Sequence, residues 1–280
     1  ATNALIEGDV ATVGIIGMGQ KGIESFLAKR QTRLKDIDLG SGRKIKIKNR
    51  YIKSEDIDEM TVTKAVKELS NEGANVIVAS EAFGVDDIAG EEFVYDIAHN
   101  RLGFETTVAS DITKLYGLTR RTRTAAINAS ILPKMLNTAN STEESVRSAG
   151  VNVPLMIMRG DGGVMEINEM KKRPVLTMLS GPAASVMGSL MYLRASNGVY
   201  FEVGGTTVNI GVIKNGRPAI DYSIVGGHRT YISSLDVRVL GVAGGSMIRV
   251  NKNGVHDVGP RSAHIAGLDY AVFTDESEIV

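Results

Sequence analysis

The stretch YFEVGGTTVNIGVIKNG, residues 200–216, places two glycines and two threonines between runs of β-forming residues. Gly204 and Gly205 have no Cβ atom, so successive backbone N–H groups there can converge on an anion. Thr206 and Thr207 add hydroxyl donors to the same turn. These residue types are typical of a phosphate-binding loop, and an ordinary hairpin turn is the alternative interpretation.

One carboxylate, Glu202, stands two residues before the glycine pair. A carboxylate at this position can hold a hydrated Mg²⁺ against phosphate groups. On the second strand, Asn209 has the same parity as Thr207 and therefore faces the same way. The sequence predicts Glu202 as the catalytic and metal-binding residue, and it places Asn209 in the phosphate-binding set.

Three further glycine-rich turns lie at strand ends and are candidates for the same ligand. They are RGDGG at 159–163, LSGPAASVMG at 179–188 and GVAGGSMIRV at 241–250. A helix with Ser180 as its N-cap would turn its N-terminus toward an anion, and a turn at 241–246 would let the backbone approach a base or ribose. Ser246 would begin a helix or bond a hydroxyl group. A packed turn is the alternative in each case. The candidate binding residues are Gly162, Gly163, Ser180, Gly181, Gly241, Gly244, Gly245 and Ser246.

Several other kinds of site are excluded because the residues that they need are missing from the sequence. The chain has no cysteine, which excludes disulfides, thiolate metal sites and cysteine nucleophiles. The four histidines are scattered, without the i,i+4 pair of a zinc helix, and no Gly-x-Ser-x-Gly elbow occurs. GIIGMGQKG at 14–22 has the glycine spacing of a dinucleotide-binding turn. No acidic residue at the tip of a second strand of a βαβ unit follows about 20 positions later, because 36–48 is interpreted as a hairpin.

The totals favour a globular protein with two lobes. The 280 residues include 43% hydrophobic and 23% charged residues, with 32 basic and 32 acidic side chains in balance. A net charge of zero gives no general attraction for nucleic acid, so a small ligand is the expected partner. No apolar stretch reaches the roughly 20 residues that a membrane-spanning helix needs. We therefore predict a cytoplasmic protein that binds neither nucleic acid nor membrane.

The predicted secondary structure that positions these residues differs between the first and the second half of the chain. From 10 to 100, strand-like and helix-like runs alternate, as in a layered βαβ region, with a helix predicted over DEMTVTKAVKELSNEG and an edge hairpin over 30–56. Residues 119–147 are predicted to be helical and interrupted at Pro133. After 198, three strands predict an antiparallel meander, whose second turn is marked by Asn215-Gly216.

With these motifs in order, the chain resembles the ATP-dependent hydantoinase and 5-oxoprolinase family of the actin-like ATPase superfamily, in its hydantoinase A type. The matching segments are ATNALIE, RGDGGVM, KKRPVLTMLSGPAA, EVGGTTVNIGVI, LDVRVLGVAGGSMIRV and VGPRSAHIAGL. The resemblance implies an α/β fold with actin-like, ribonuclease H-like lobes of mixed sheets flanked by helices. It assigns residues 1–123 to the remainder of the N-terminal lobe. Residues 124–280 become the hydantoinase A core, with crossing helices and the phosphate hairpin of the second lobe.

The resemblance also implies a function. ATP and Mg²⁺ are the expected cofactors, with 204–207 holding phosphate and 241–246 near the adenosine. Family enzymes activate the carbonyl of a cyclic amide, such as a hydantoin or 5-oxoproline, by phosphorylation before hydrolysis, and a hydantoinase B-type partner subunit is expected. Two alternatives share the same motifs: a reactivating or chaperone-like ATPase, and a subunit of an ATP-dependent carboxylase.

The chain departs from the family pattern in two ways. Aspartates usually stand where Glu202 and Asn209 stand here, so a longer carboxylate and a lost charge are expected to alter metal placement. In the family, a glycine-threonine hairpin precedes ATNALIE and forms the other half of the phosphate clamp. The sequence begins without that hairpin, so we expect this chain to be a fragment that hydrolyses ATP weakly or not at all.

Overall fold

A computed structural model describes residues 1–40, 42–194, 196–205, 207–262, 267, 269 and 271–278 of the chain. The chain forms two compact units. Unit 1 comprises Ala1–Leu179 and Tyr222–Ser234, and unit 2 comprises Ser180–Asp221 and Leu235–Val280. The family-based division at 123 and 124, which stays a prediction, falls within a helix of unit 1 that spans Leu118–Ser148.

Unit 1 alternates strands and helices along most of its length. Its helices are α1 (Thr2–Glu7), α2 (Ile23–Thr32), α3 (Glu59–Asn71), α4 (Ala89–Tyr95), α5 (Ala109–Ile112), α6 (Leu118–Ser148) and α7 (Ile167–Lys172). Its strands are β1 (Val13–Gly19), β2 (Ile37–Gly40), β3 (Arg43–Ile45), β4 (Ile47–Lys53), β5 (Val76–Glu81), β6 (Glu105–Val108), β7 (Met156–Met158) and β8 (Val164–Glu166).

The main sheet of unit 1 has the strand order β4-β1-β5-β6, and its neighbouring strands are parallel. Every residue of β1 and of β5 is buried, as expected of central strands that are covered on both faces. The predicted layered βαβ region is therefore present. Because the strands are parallel, their carboxyl ends lie at one edge of the sheet.

The helix α3 shows why local pattern was sufficient in this region. Asp58 caps it by accepting a hydrogen bond from the Thr61 N–H at 2.7 Å. Its buried side includes Val62, Val66 and Leu69, which recur at helical spacing. Met60, which fits the same spacing, is 76% exposed, because it lies in the first turn at the end of that side.

The edge hairpin predicted over residues 30–56 is only partly correct. β2 and β3 form an antiparallel pair, but β4 leaves the hairpin and pairs in parallel with β1. The alternation of lysine and isoleucine suits either arrangement, and the contact with β1 is decided by residues distant in sequence.

The dinucleotide-like glycines have a packing role in this sheet. Gly17 and Gly19 lie within β1, where a Cβ on Gly17 would meet the Thr32 hydroxyl at 2.1 Å and one on Gly19 would meet the Ala28 Cβ at 2.6 Å. Their missing side chains let α2 approach β1 closely.

The predicted interruption at Pro133 does not occur. α6 runs without a break through Pro133 over 31 residues. Its first half is packed into the core of unit 1, where Ala125, Ile127 and Ile131 are fully buried. Tertiary packing of this kind outweighs the local cost of a proline inside a helix. No helix within the described residues is long and apolar enough to cross a membrane.

In its described residues, unit 2 begins with an α-helix, which is followed mainly by antiparallel strands. It contains α8 (Ser180–Leu193), β9 (Gly198–Val203), β10 (Val208–Lys214), β11 (Arg217–Pro218), β14 (Val237–Leu240), β15 (Ser246–Asn251) and β16 (Gly254–Ser262). The strands β12 (Ile220–Val225) and β13 (His228–Leu235) pair with each other and lie mostly in unit 1.

The predicted meander is correct for its first two strands and wrong for its third. β9 and β10 are antiparallel, and the turn after β10 places Asn215 and Gly216 at φ angles of 52° and 71°, as a tight hairpin requires. Of the predicted third strand, only the short β11 pairs with β10. The rest forms β12, which pairs with β13. β14 takes the place beside residues 208–211.

Candidate functional site

The glycine-threonine turn joins β9 to β10 in unit 2. The register pairs Glu202 with Asn209, so these two side chains lie on the same face of the strand pair. The Gly204 N–H donates to the Thr207 carbonyl at 3.0 Å and closes the turn. Thr206, a predicted phosphate ligand, lies outside the described residues. A Cβ on Gly205 would meet no described atom within 4 Å, so its backbone is open to a ligand.

The Glu202 carboxylate is held at both oxygens. Asn209 donates its side-chain N–H to Oε2 at 2.9 Å, and Ser185 of α8 donates its hydroxyl to Oε1 at 2.9 Å. Asn209 is buried, whereas Glu202 and Ser185 are half-buried. The carboxylate is therefore fixed between the strand pair and the helix, and each oxygen keeps a further acceptor position.

The second glycine turn of unit 2 bonds directly to the first. Gly244 donates its N–H to the Gly204 carbonyl at 3.1 Å, and Gly245 donates to the Gly205 carbonyl at 2.8 Å. Ser246 stabilises this second turn by accepting from the Ala243 N–H at 2.8 Å. The structure thus brings the turns at 204–205 and 241–246 together. Ser246 begins the strand β15, so the alternative in which it begins a helix is wrong.

The other two predicted turns behave differently. α8 begins at Ser180 itself, which is one residue earlier than a Ser180 N-cap implies, and Gly181 lies in its first turn. Gly162 and Gly163 belong to unit 1. There the Arg159 N–H donates to the Gly163 carbonyl at 2.8 Å, so that this turn satisfies its own backbone.

Tyr200, an aromatic residue two positions before Glu202, has a raised pKa. The Tyr200 ring lies across Gly211, where a Cβ would meet the phenolic oxygen at 2.1 Å. Burial first, and then the negative charges of Asp236 and Glu202, raise the pKa of Tyr200 above its usual value. The phenol therefore keeps its proton to a higher pH than an ordinary tyrosine does.

The donor set suits a cation that keeps most of its water. Among the described residues, no three histidine, cysteine, aspartate or glutamate side chains cluster closely enough to hold a metal ion. Glu202 is the single acidic residue in the sequence of the β9–β10 hairpin, residues 198–214. Mg²⁺ typically binds through one or two carboxylates together with water and substrate phosphates, so the residues present fit Mg²⁺ and do not fit zinc.

Ser185 is the site residue that sequence reasoning missed. It lies on the face of α8 that meets Glu202, one turn beyond Gly181. Nothing in the letters SGPAASV distinguishes this serine from a solvent-facing one. Helical spacing from the glycine at 181 was the only available signal.

Comparison with known proteins gives consistent matches. Residues 121–274 match the family described as Hydantoinase/oxoprolinase. The chain is 27% identical to the acetophenone carboxylase gamma subunit of Aromatoleum aromaticum over 246 residues, which cover 82% of this chain and 32% of that subunit. The chain therefore spans about a third of that relative's length.

Two solved structures share the fold. A nucleotide-free structure of acetone carboxylase superposes with a TM-score of 0.67 and 19% identity, covering 94% of this chain and 41% of that one. The ATP-dependent caprolactamase of Pseudomonas jessenii superposes with a TM-score of 0.65 and 20% identity, again covering 94% of this chain and 41% of the other. The predicted α/β fold class is confirmed.

Proposed function

Because this chain belongs to the hydantoinase/oxoprolinase family, we propose that it is the ATP-binding core of an enzyme that hydrolyses cyclic amides, such as hydantoins or 5-oxoproline-like lactams, at the expense of ATP. The observation that carries this proposal is the β9–β10 hairpin, where Glu202 pairs with Asn209 and the turn at 241–246 bonds to the turn at 204–205. The 29% identity to the caprolactamase subunit alpha of Pseudomonas jessenii, over 51% of this chain, supports the substrate class.

Within this proposal, each part of the site has one task. The open backbone at Gly205, with Thr206 and Thr207, would receive phosphate oxygens, and the turn at 241–246 would lie beside the nucleoside. Glu202 would hold Mg²⁺, which when bound neutralises charge on the phosphates. Ser180 and Gly181 remain proposed contributors to this nucleotide site of unit 2, and Gly162 and Gly163 remain proposed ligand-binding residues of unit 1.

The proposed reaction uses ATP because an amide carbonyl is a poor electrophile. The carbonyl oxygen takes the γ-phosphoryl group and ADP leaves. Water then adds to the ring carbon, and the C–N bond breaks as the ring nitrogen takes a proton. A second water releases phosphate and leaves the open amino acid. We propose that a hydantoinase B-type partner subunit supplies part of this site, since the matched carboxylase protein is itself one subunit of an enzyme.

Nucleotide binding to this chain provides the first test. Fluorescent ATP titrated into the 280-residue protein with Mg²⁺ should bind, and Glu202→Gln should weaken that binding about 10-fold. Asp257→Asn is the matched control, because it also exchanges a carboxylate for an amide in unit 2 but lies on β16 and pairs with Arg249. Failure of the unaltered chain to bind ATP, or an equal effect of both variants, would contradict the proposal.

The substrate class is tested on the complete enzyme with any subunits that copurify. A panel of lactams and hydantoins should stimulate ADP release, and the ring-opened amino acid should appear with it. The chain alone should release ADP weakly or not at all, and robust turnover by it would overturn that expectation.

A carboxylase subunit is the second candidate, favoured by the match to the acetophenone carboxylase gamma subunit over 82% of this chain. In that case bicarbonate together with a ketone, rather than a cyclic amide, would stimulate ADP release. The same assay panel separates the two functions.

A further inference from the structure

The hydrogen bonds at Glu202 give Asn209 a task different from contact with a nucleotide. Its side-chain N–H donates to Glu202 Oε2 at 2.9 Å, and the residue is only 8% exposed. A buried amide that is committed to a neighbouring carboxylate is occupied in holding that carboxylate. Asn209 is therefore a support for Glu202.

Ser185 provides the matching support from the other side. Its hydroxyl donates to Glu202 Oε1 at 2.9 Å from the second turn of α8. The same hydroxyl also lies 3.5 Å from the Gly181 carbonyl, at the limit of a hydrogen bond. The shorter contact is the one to the charged acceptor, which is the stronger kind of hydrogen bond.

The two supports restrict the carboxylate in different ways. Asn209 reaches Glu202 across the strand pair, whereas Ser185 reaches it from the helix. One donor on each oxygen fixes both the position of the carboxylate and the orientation of its plane. Because the side chain of Glu202 is already ordered in this way, binding of the cation does not carry the entropy cost of ordering it.

We infer that Ser185 and Asn209 are positioning residues, which hold the Glu202 carboxylate ready for the divalent cation that accompanies the nucleotide and which themselves bind neither cation nor nucleotide. This inference rests on the proposed nucleotide site. It adds a residue of α8 to the site and moves Asn209 from the nucleotide-binding set to the support of Glu202.

The test compares cation binding with nucleotide binding. Mn²⁺ replaces Mg²⁺, and its binding is followed by the electron paramagnetic resonance signal of the free ion, with and without a non-hydrolysable ATP analogue. Ser185→Ala and Asn209→Ala should each weaken Mn²⁺ binding about 10-fold, the usual effect of losing one hydrogen bond to a charged group. Affinity for the analogue in EDTA should change less than about 2-fold, because neither residue contacts the nucleotide.

Two further variants separate positioning from general structure. Ser185→Thr keeps the hydroxyl and should restore Mn²⁺ binding. Ser189→Ala removes another hydroxyl of the same helix, one turn further on, and should have no effect. In a Glu202→Gln background, Ser185→Ala should cause no further loss, since a positioning residue acts only through the group that it holds.

The outcomes are distinct. Equal effects of Ser185→Ala and Ser189→Ala, or additive effects of Ser185→Ala and Glu202→Gln, would overturn the inference. If Asn209→Ala lost affinity for the analogue in EDTA, Asn209 would be a nucleotide-binding residue and the inference would be wrong for it. Absence of analogue binding by the unaltered chain would instead contradict the proposed function, and the comparison of Mn²⁺ affinities without nucleotide would still decide the role of Ser185.

Discussion

A buried arginine at the start of α6 offers the sharpest test of how unit 1 is held together. Arg121 is 1% exposed, and its guanidinium donates to the Glu81 carbonyl at 2.6 Å and to the Leu115 carbonyl at 3.3 Å. The neighbouring Glu91 carboxylate accepts from the Glu81 N–H and from the Ser110 N–H, each at 2.8 Å. These contacts join the end of β5 to α4, α5 and α6.

The substitution Arg121→Met keeps most of the side-chain volume and removes the donors. Two carbonyls lose their partner, and each loss costs about 1–3 kcal/mol when the carbonyl is buried. The substitution also removes a buried charge, whose Nε has no hydrogen-bond partner within the described residues. Burying such an unpaired polar group costs about 1–3 kcal/mol, and the variant no longer has this cost. We therefore expect the free energy of unfolding to fall by about 2 kcal/mol.

The loss should depend on pH through Glu91. Burial is the main influence on its carboxyl and raises the pKa, whereas the charge of Arg121 lowers it. Removing Arg121 therefore raises the pKa further. A carboxyl whose pKa is higher in the folded protein stabilises fully below its unfolded pKa and loses that contribution as the pH rises through the folded value. The deficit of the variant should thus be larger at about pH 8 than at about pH 5.

Urea unfolding followed by far-ultraviolet circular dichroism measures the total effect. Hydrogen exchange at the Glu81 and Ser110 amides, which donate to Glu91, locates it. Arg123→Met is the control, because Arg123 is half-buried on the same helix and takes part in none of these contacts. A change below about 0.5 kcal/mol in Arg121→Met, or a deficit that is equal at both pH values, would refute this account of the network.

Two close approaches of glycine give further predictions. Gly19→Ala should cost about 1–3 kcal/mol by overpacking, since its Cβ would lie 2.6 Å from the Ala28 Cβ. Adding Ala28→Gly should recover part of that loss in urea unfolding, and a purely additive pair would show that the two sites do not touch. Gly160→Ala would place a methyl group 1.7 Å from the Met178 carbonyl oxygen, so we expect a lower unfolding temperature than for Gly163→Ala, whose methyl group would meet its nearest neighbour at 3.2 Å. Equal temperatures for these two variants would contradict the packing account.

Local patterns predicted the elements whose structure is decided locally. The buried runs of β1 and β5, the capped helix α3 and the turn at Asn215 and Gly216 each carry their signal within a few residues. β4 and β14 carry no such signal. Their partners lie 26 to 34 positions away along the chain, and only the complete sheet decides which strand occupies an edge.

The candidate site divides in the same way. Residue types identified Glu202 and the glycine turns, because a missing Cβ and a lone carboxylate are visible in the sequence. They did not identify Ser185, whose contact with Glu202 depends on how α8 packs against the strand pair. They placed Asn209 in the phosphate-binding set, which stays a prediction, and they did not show that its amide donates to Glu202. Side-chain pairing across separate elements is not encoded in local spacing.

Glycine has two different roles in this chain, one in packing and one in leaving the backbone open. Gly17 and Gly19 have dinucleotide-like spacing, but a Cβ at either position would collide with α2, so their absent side chains serve packing. At Gly205 a Cβ would meet nothing described within 4 Å. Open space over a glycine leaves its backbone accessible to a ligand, whereas a neighbour within 3 Å shows that the space is already used. This difference gives the glycines of β1 a structural role, whereas the surroundings of Gly205 leave room for the proposed phosphate contact.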